Sequence, residues 1–202
     1  AQRRDPKFRD MFDVREERPL EASLADAGVR PEQISKIIVT HMHFDHIGGI
    51  APFPKAKLVV QKGELEDAYA GCDLCKASYV EQDWKVLKDQ GRLEVVDGDV
   101  EVAPGISVIK TGGHTRAHQI VKFSSRGEQG AFWGDLVPTS AHLRAHYVMA
   151  YDLYPVECWQ AKKELVPRAV EERWVNVFYH DPVSPLGRIK ADGRDFRVEA
   201  VS

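Results

Sequence analysis

Thr40-His41-Met42-His43-Phe44-Asp45-His46-Ile47-Gly48-Gly49 puts three imidazoles and a carboxylate within six residues. In extended backbone, side chains two apart fall on the same side, so His41 and His43 face one space. A turn after them brings Asp45 and His46 toward it. Desolvating so many ionisable groups together is costly unless a cation compensates, and a bound metal is the simplest compensation. For this composition, His-x-His-x-Asp-His arises by chance in roughly one such chain in a thousand. A loop of merely solvated histidines is the plain alternative, and features elsewhere in the chain argue against it.

Working outward, Lys36-Ile-Ile-Val-Thr40 is β-branched and nearly continuous in apolar character, as a strand covered on both faces should be. Three further candidate ligands also follow predicted strands. Thr111-Gly112-Gly113-His114-Thr115 comes after Ile106–Lys110, Gly134-Asp135 after Gly130–Trp133, and His180-Asp181 after Trp174–Phe178. Strand ends gather loops at one edge of a layered fold, where sites are built. The remaining strands are Lys57–Gln61, Leu93–Val96, Val100–Ala103 and Gln119–Ser124, with a terminal hairpin turning at Asp192-Gly193. Helical character is predicted from Leu20 to Ala27 and in Gly63–Ala70, Ser78–Asp89, Ser140–Met149 and Pro155–Glu172, the last interrupted by Pro167. Residues 1–19 read as a charged surface loop. The mixture predicts an α/β layered sandwich, and residues 1–202 are read as one domain.

Composition narrows the function classes. The 202 residues carry 28 Lys and Arg against 31 Asp and Glu, a formal net charge of -3, which tells against nucleic acid or an anionic membrane surface as partner. No apolar run is long enough to span a bilayer and no leader is visible, so a cytoplasmic protein is expected. Cys72, Cys75 and Cys158 are too few for a disulfide framework. Cys72-x-x-Cys75 is half a zinc site without a second pair, and is read as ordinary cysteines. No Gly-x-Ser-x-Gly elbow is present, which disfavours a serine nucleophile.

The segment His41-x-His43-x-Asp45-His46, followed in order by Gly113-His114-Thr115, Asp135 and His180, resembles the metallo-β-lactamase superfamily from Leu20 to Asp181. The resemblance implies an αββα four-layer sandwich with two divalent ions at its edge. It places His41, His43 and His114 on the first ion, Asp45, His46 and His180 on the second, and Asp135 between them. Nitrogen and oxygen ligands suit Zn²⁺ first, with Mn²⁺, Fe²⁺ or Co²⁺ as substitutes. Asp135 stands where the antibiotic-degrading members carry cysteine. Members usually begin with a β-hairpin before the first helix, and no such segment precedes Arg3, so the N-terminal strands are expected to be absent from this chain or replaced.

Gly134-Asp135-Leu-Val-Pro-Thr-Ser-Ala-His142 and Val148-Met-Ala-Tyr151-Asp-Leu-Tyr154-Pro155 resemble the branch of quorum-quenching lactonases and methyl-parathion-type phosphotriesterases. That resemblance implies a metal-bridging hydroxide attacking a small lactone or ester of the N-acyl homoserine lactone type. Asp45 and Asp135 would be the catalytic carboxylates, and Phe44, Leu136, His142 and Tyr151 the substrate contacts. The partner is thus a small molecule; a homodimer is compatible with this. A tyrosine three residues after the bridging aspartate is replaced by Pro138, so a phenol from Tyr147 or Tyr151 would need a different geometry. His118 is read as a structural histidine. A hydroxyacylglutathione-type thioesterase and a phosphotriesterase share the ligand set; a non-catalytic metal-binding scaffold is the alternative of another class.

Overall fold

The computed structural model describes residues 6–11, 13, 15, 18–71 and 76–201. Two sheets face one another. The smaller is parallel, in the order β1 (Lys36–Ile38), β2 (Lys57–Gln61), β3 (Leu93–Val96). The larger has seven strands: β4 (Val100–Ala103), β5 (Ile106–Lys110), β6 (Gln119–Ser125), β7 (Glu128–Phe132), β8 (Val175–Val177), β9 (Leu186–Asp192) and β10 (Asp195–Glu199), ordered from β10 at one edge to β4 at the other. All its pairs are antiparallel except β7 with β8.

Side-chain alternation explains the layers. Along β2, Leu58 and Val60 enter a core with Met42, Ile47, Trp84 and Leu87, beneath the helices of that face. These are α3 (Phe44–Ile47), α4 (Lys62–Ala70) and α5 (Lys85–Asp89). Val59, between them, turns the other way and meets Val102 and Val108 of the facing sheet. Because both faces of β2 are buried, the strand reads as an unbroken apolar run rather than an alternating one. The outer face of the larger sheet buries Ile120, Ala131 and Trp133 against α6 (Pro155–Glu171), which contributes Cys158, Leu165, Val166 and Ala169. Helix, sheet, sheet, helix is the αββα sandwich the sequence implies.

Four expectations are corrected. Residues 6–11 form a short helix, α1 (Pro6–Met11), inside the stretch read as a loop. Pro167 does not interrupt α6: it lies on the exposed face, where losing one helical hydrogen bond leaves a carbonyl to solvent. Ser78–Asp89 is a 3₁₀ turn, Glu81–Asp83, followed by α5. Ser140–Met149 is not a helix beyond the 3₁₀ turn Ser140–His142. There Asp181 draws in the Ser140 N–H at 2.7 Å, while Lys162 and Asp152 hold Tyr147 O and Met149 N, so tertiary bonds override helix propensity. The expected helix at Leu20–Ala27 is α2 (Leu20–Asp26). In the smaller sheet β1 pairs with β2 alone, so its outer edge is unpaired among the described residues. Cys72 and Cys75 lie outside the described residues. No helix among those described is long and apolar enough to cross a membrane.

Topology positions the site. β5 and β7 are each antiparallel to β6, and β8 is parallel to β7, so β5, β7 and β8 all run in one direction. Their C-terminal ends therefore open at one edge of the sheet, each followed within a few residues by His114, Asp135 or His180.

Candidate metal centre

The loop after β1 and the N-terminus of α3 deliver His41, His43, Asp45 and His46 to that same edge. Three overlapping groups result: His41, His43 and His114; His41, His46 and Asp135; and Asp45, His46 and His180, each with ligand atoms within 4.8 Å of one another. Asp135 is central. Its Oδ1 lies 3.2 Å from both His46 Nε2 and His180 Nε2, and its Oδ2 is 3.3 Å from His114 Nε2 and 4.0 Å from His41 Nε2. His43 turns Nδ1 inward, 3.2 Å from His114 Nε2. Asp45 Oδ2 is 3.3 Å from His46 Nε2 and 3.5 Å from His180 Nε2.

The electrostatics are those of a site built for cations. Burial, and then the neighbouring imidazoles, push His41 well below the ordinary histidine range, and burial with His114 lowers His43 to about 4. Burial opposes a charge on His46, yet Asp135 and Asp45 beside it push it up to about 9. Burial alone would raise the Asp135 carboxyl; the approach of His180 and His46 holds it well below the usual range. These contacts lack hydrogen-bond alignment. His41 Nε2, His46 Nε2 and Asp135 Oδ1 are buried within the cluster without a hydrogen-bond partner, a cost a native fold rarely carries at three neighbouring atoms. Divalent cations bind neutral imidazoles, as burial keeps His41 and His43, and ionised carboxylates such as Asp135, and a cation can displace the proton of His46, so the residues fit such ions.

Buried partners orient the ligands. His114 Nδ1 is 3.0 Å from Asp152 Oδ1, both side chains being 2% exposed, and His41 Nδ1 is 3.1 Å from Thr40 Oγ1. Each fixes the ring with Nε2 facing the cluster. Glu64, fully buried on α4, joins two ligand loops: it accepts from Met42 N at 3.0 Å, Ala117 N at 3.3 Å and the hydroxyls of Thr115 and Tyr79. His118 binds the loop, not the cluster. Its Nε2 accepts the Asp135 N–H at 3.2 Å and its Nδ1 meets Thr111 Oγ1 at 2.8 Å. Gly134 and Gly113 are needed at φ +52° and +93°, where a Cβ would sit 2.7 Å from Thr40 Oγ1 and 2.5 Å from Cys158 Sγ. Asp152 and Glu64 escape a sequence reading because an isolated acid in an undistinguished segment carries no spacing signal.

A cleft of about 630 Å³ opens over the cluster, lined by His43, Asp45, His114, Asp135 and His180 and walled by Phe44, His142, Met149, Tyr151 and Leu153. Three of the four expected substrate contacts, Phe44, His142 and Tyr151, thus face it. Leu136 does not: it is 1% exposed and packs with Trp133, Val137 and Phe178, because the turn after β7 sends Asp135 outward and its neighbour into the core. Met42 and Trp133 are likewise core. His146 lies on the surface, its Nε2 accepting from Trp159 Nε1 at 3.3 Å.

The profile of the metallo-beta-lactamase superfamily matches residues 12–180. The chain belongs to the metallo-beta-lactamase superfamily. Within this superfamily, the N-acyl homoserine lactonase AiiA of Bacillus thuringiensis subsp. kurstaki is 32% identical over 96 residues, 48% of this chain and 35% of that one. An N-acyl homoserine lactonase of Bacillus sp. is 33% identical over the same share. The alignment therefore spans about a third of the length of these curated relatives. Among solved structures, a probable metal-dependent hydrolase from Staphylococcus aureus superposes with a TM-score of 0.88 at 29% identity, covering 98% of this chain and 73% of that chain. AidC, a dizinc quorum-quenching lactonase solved with the product N-hexanoyl-L-homoserine, shares the fold with a TM-score of 0.77 at 22% identity, covering 91% of this chain and 69% of that one.

Proposed function

We propose that the chain is a binuclear metal-dependent hydrolase that opens a small lactone or ester of the N-acyl homoserine lactone type. The observation that carries this reading is Asp135, whose two oxygens face two different histidine sets beneath an open cleft. His41, His43 and His114 would hold one divalent cation, Asp45, His46 and His180 a second, most readily Zn²⁺, with Asp135 between them. Such a pair, when bound, makes water acidic near neutral pH and polarises the carbonyl or phosphoryl oxygen under attack. The chain's own residues do the rest. Asp45, a third exposed, can orient water at the cleft floor. Phe44, Met149, Tyr151 and Leu153 form an apolar wall suited to an acyl tail. His142, held below the ordinary range by burial and by the charge of Lys162, stays neutral and can hydrogen-bond a polar head group. The lactonase names of the curated relatives support the same substrate class.

The test is turnover of N-acyl homoserine lactones of several chain lengths, beside a phosphotriester and a glutathione thioester, before and after chelation. Lactone opening that is lost to chelator and restored by Zn²⁺ is expected. Tightly bound metal with no hydrolysis of any of these would overturn the reading in favour of a metal-binding scaffold.

A further inference from the structure

One carboxylate serves both the candidate metal cluster and the wall of the cleft. Asp152 Oδ1 meets His114 Nδ1 at 3.0 Å, and its Oδ2 accepts the Met149 N–H at 2.7 Å. Met149 belongs to the segment 147–152, which supplies Met149, Ala150 and Tyr151 to the cleft. The segment is tied back twice more to the loop of the same ligand, by Leu153 N–H to His114 O at 3.2 Å and Tyr154 N–H to Gly113 O at 2.8 Å. At its other end the Tyr147 carbonyl accepts from Lys162 Nζ at 2.6 Å. Lys162 is 1% exposed and sits among Cys158, Leu165 and Val166 on the inner face of α6. An ammonium there costs more than a methionine of similar shape, so packing alone gives no reason for it. Its hydrogen bond to the wall does. The neighbouring Cys158 is fully buried, with its thiol pushed up by burial and by Asp152, and so adds no competing charge.

We infer that Asp152 couples the substrate wall to metal occupancy through His114, and that Lys162 is the second clamp on that wall, so that both are positioning residues for substrate specificity. Metal on His114 Nε2 requires the proton on Nδ1, which commits Asp152 Oδ1 to that ring and leaves Oδ2 fixed for Met149. Without metal the ring can take the other tautomer, and the carboxylate loses its bond to that ring. An asparagine at 152 has one acceptor and one donor where two acceptors are needed. It must lose either the His114 Nδ1–H bond or the Met149 N–H bond.

The inference deepens the hydrolase reading but is tested without turnover, so the two can fail separately. Amide hydrogen exchange is followed at Met149–Tyr151 in metal-free and Zn²⁺-loaded protein, with Zn²⁺ affinity measured by competition against a chromophoric chelator. In the parent, loading should slow exchange at Met149 by at least about tenfold. Asp152→Asn should abolish that slowing and weaken Zn²⁺ binding about 10- to 100-fold, the range for losing a ligand-orienting partner. Lys162→Met should speed exchange across the wall with Zn²⁺ affinity within about twofold of the parent. Lys162→Arg should restore slow exchange. Amides of β5 and β6 serve as the folding control. Equal exchange at Met149 in metal-free and loaded parent protein would overturn the coupling, and this outcome needs no variant to fold. Parental wall exchange in a folded Lys162→Met protein would overturn the clamp. If a lactone assay is added, Lys162→Met should raise KM for long-chain substrates and leave kcat within about twofold.

Discussion

The candidate ligands divide into an inner and an outer group, and the two are built differently. His41 and His114 are 0% and 2% exposed, whereas the side chains of Asp45 and His180 are 36% and 38% exposed. The rings of His41 and His114 each have a buried oxygen behind them, from Thr40 and Asp152, and Glu64 locks the loops that carry them. The outer group is held through backbone: Tyr179 OH donates to Asp45 O at 2.9 Å and His180 N–H to Pro138 O at 3.0 Å. A preorganised inner site and an adjustable outer one suit a centre where the second position must accept substrate.

The most damaging break should come where the groups meet. Asp135→Ala removes the one carboxylate that faces both, and should lower turnover by more than about a hundredfold while tightly bound metal falls in elemental analysis. The same analysis on two single-ligand variants sharpens the contrast. His114→Ala should lose its cation and also lower the melting temperature, since it opens a buried cavity beside Asp152. His180→Ala should lose the outer cation with little change in melting temperature. Equal thermal effects would mean the two groups are equally embedded.

Protons should tell the groups apart as well. In metal-free protein His46, at about 9, binds its proton more tightly folded than unfolded. Its contribution to stability is full below the ordinary histidine value and is lost as pH rises through about 9. His43, lowered to about 4, has the opposite sign: its contribution is present above the ordinary value and is lost as pH falls toward 4. Zn²⁺ uptake at pH 7.5 should therefore release a proton from the outer group and none from His41 or His43. Calorimetry in buffers of differing ionisation enthalpy measures this, and release confined to the inner site would reverse the assignment.

A smaller effect separates wall from core. Leu136→Ala should cost about 2–5 kcal/mol of stability with KM unchanged in the folded enzyme, because Leu136 fills the core. Tyr151→Ala, at a residue 79% exposed on the cleft, should change KM and leave stability within about 0.5 kcal/mol.

Much of this was legible in the sequence, for physical reasons that also mark where legibility stops. β2 shows itself because a strand buried on both faces needs contiguous apolar side chains. His41, His43, Asp45 and His46 are conspicuous because a local motif concentrates costly groups; His114, Asp135 and His180 gain weight because each comes just past the end of a predicted strand. Ser140–Met149 misleads because its residues favour a helix, and what prevents one is bonds to Asp181, Asp152 and Lys162, distant in sequence. Leu136 misleads because adjacency to Asp135 says nothing of direction across a turn. Asp152 and Glu64 carry their meaning through partners distant in sequence, His114 38 residues from Asp152 and Met42 22 residues from Glu64.

On the proposed function, seven side chains brought together by both sheets hold two cations side by side beneath the cleft. Anomalous diffraction at the zinc edge from crystals of the Zn²⁺-loaded protein tests it directly. The account predicts two peaks, one within bonding distance of His41, His43 and His114, the other of Asp45, His46 and His180, with Asp135 touching both. A single peak, or peaks away from Asp135, would contradict it.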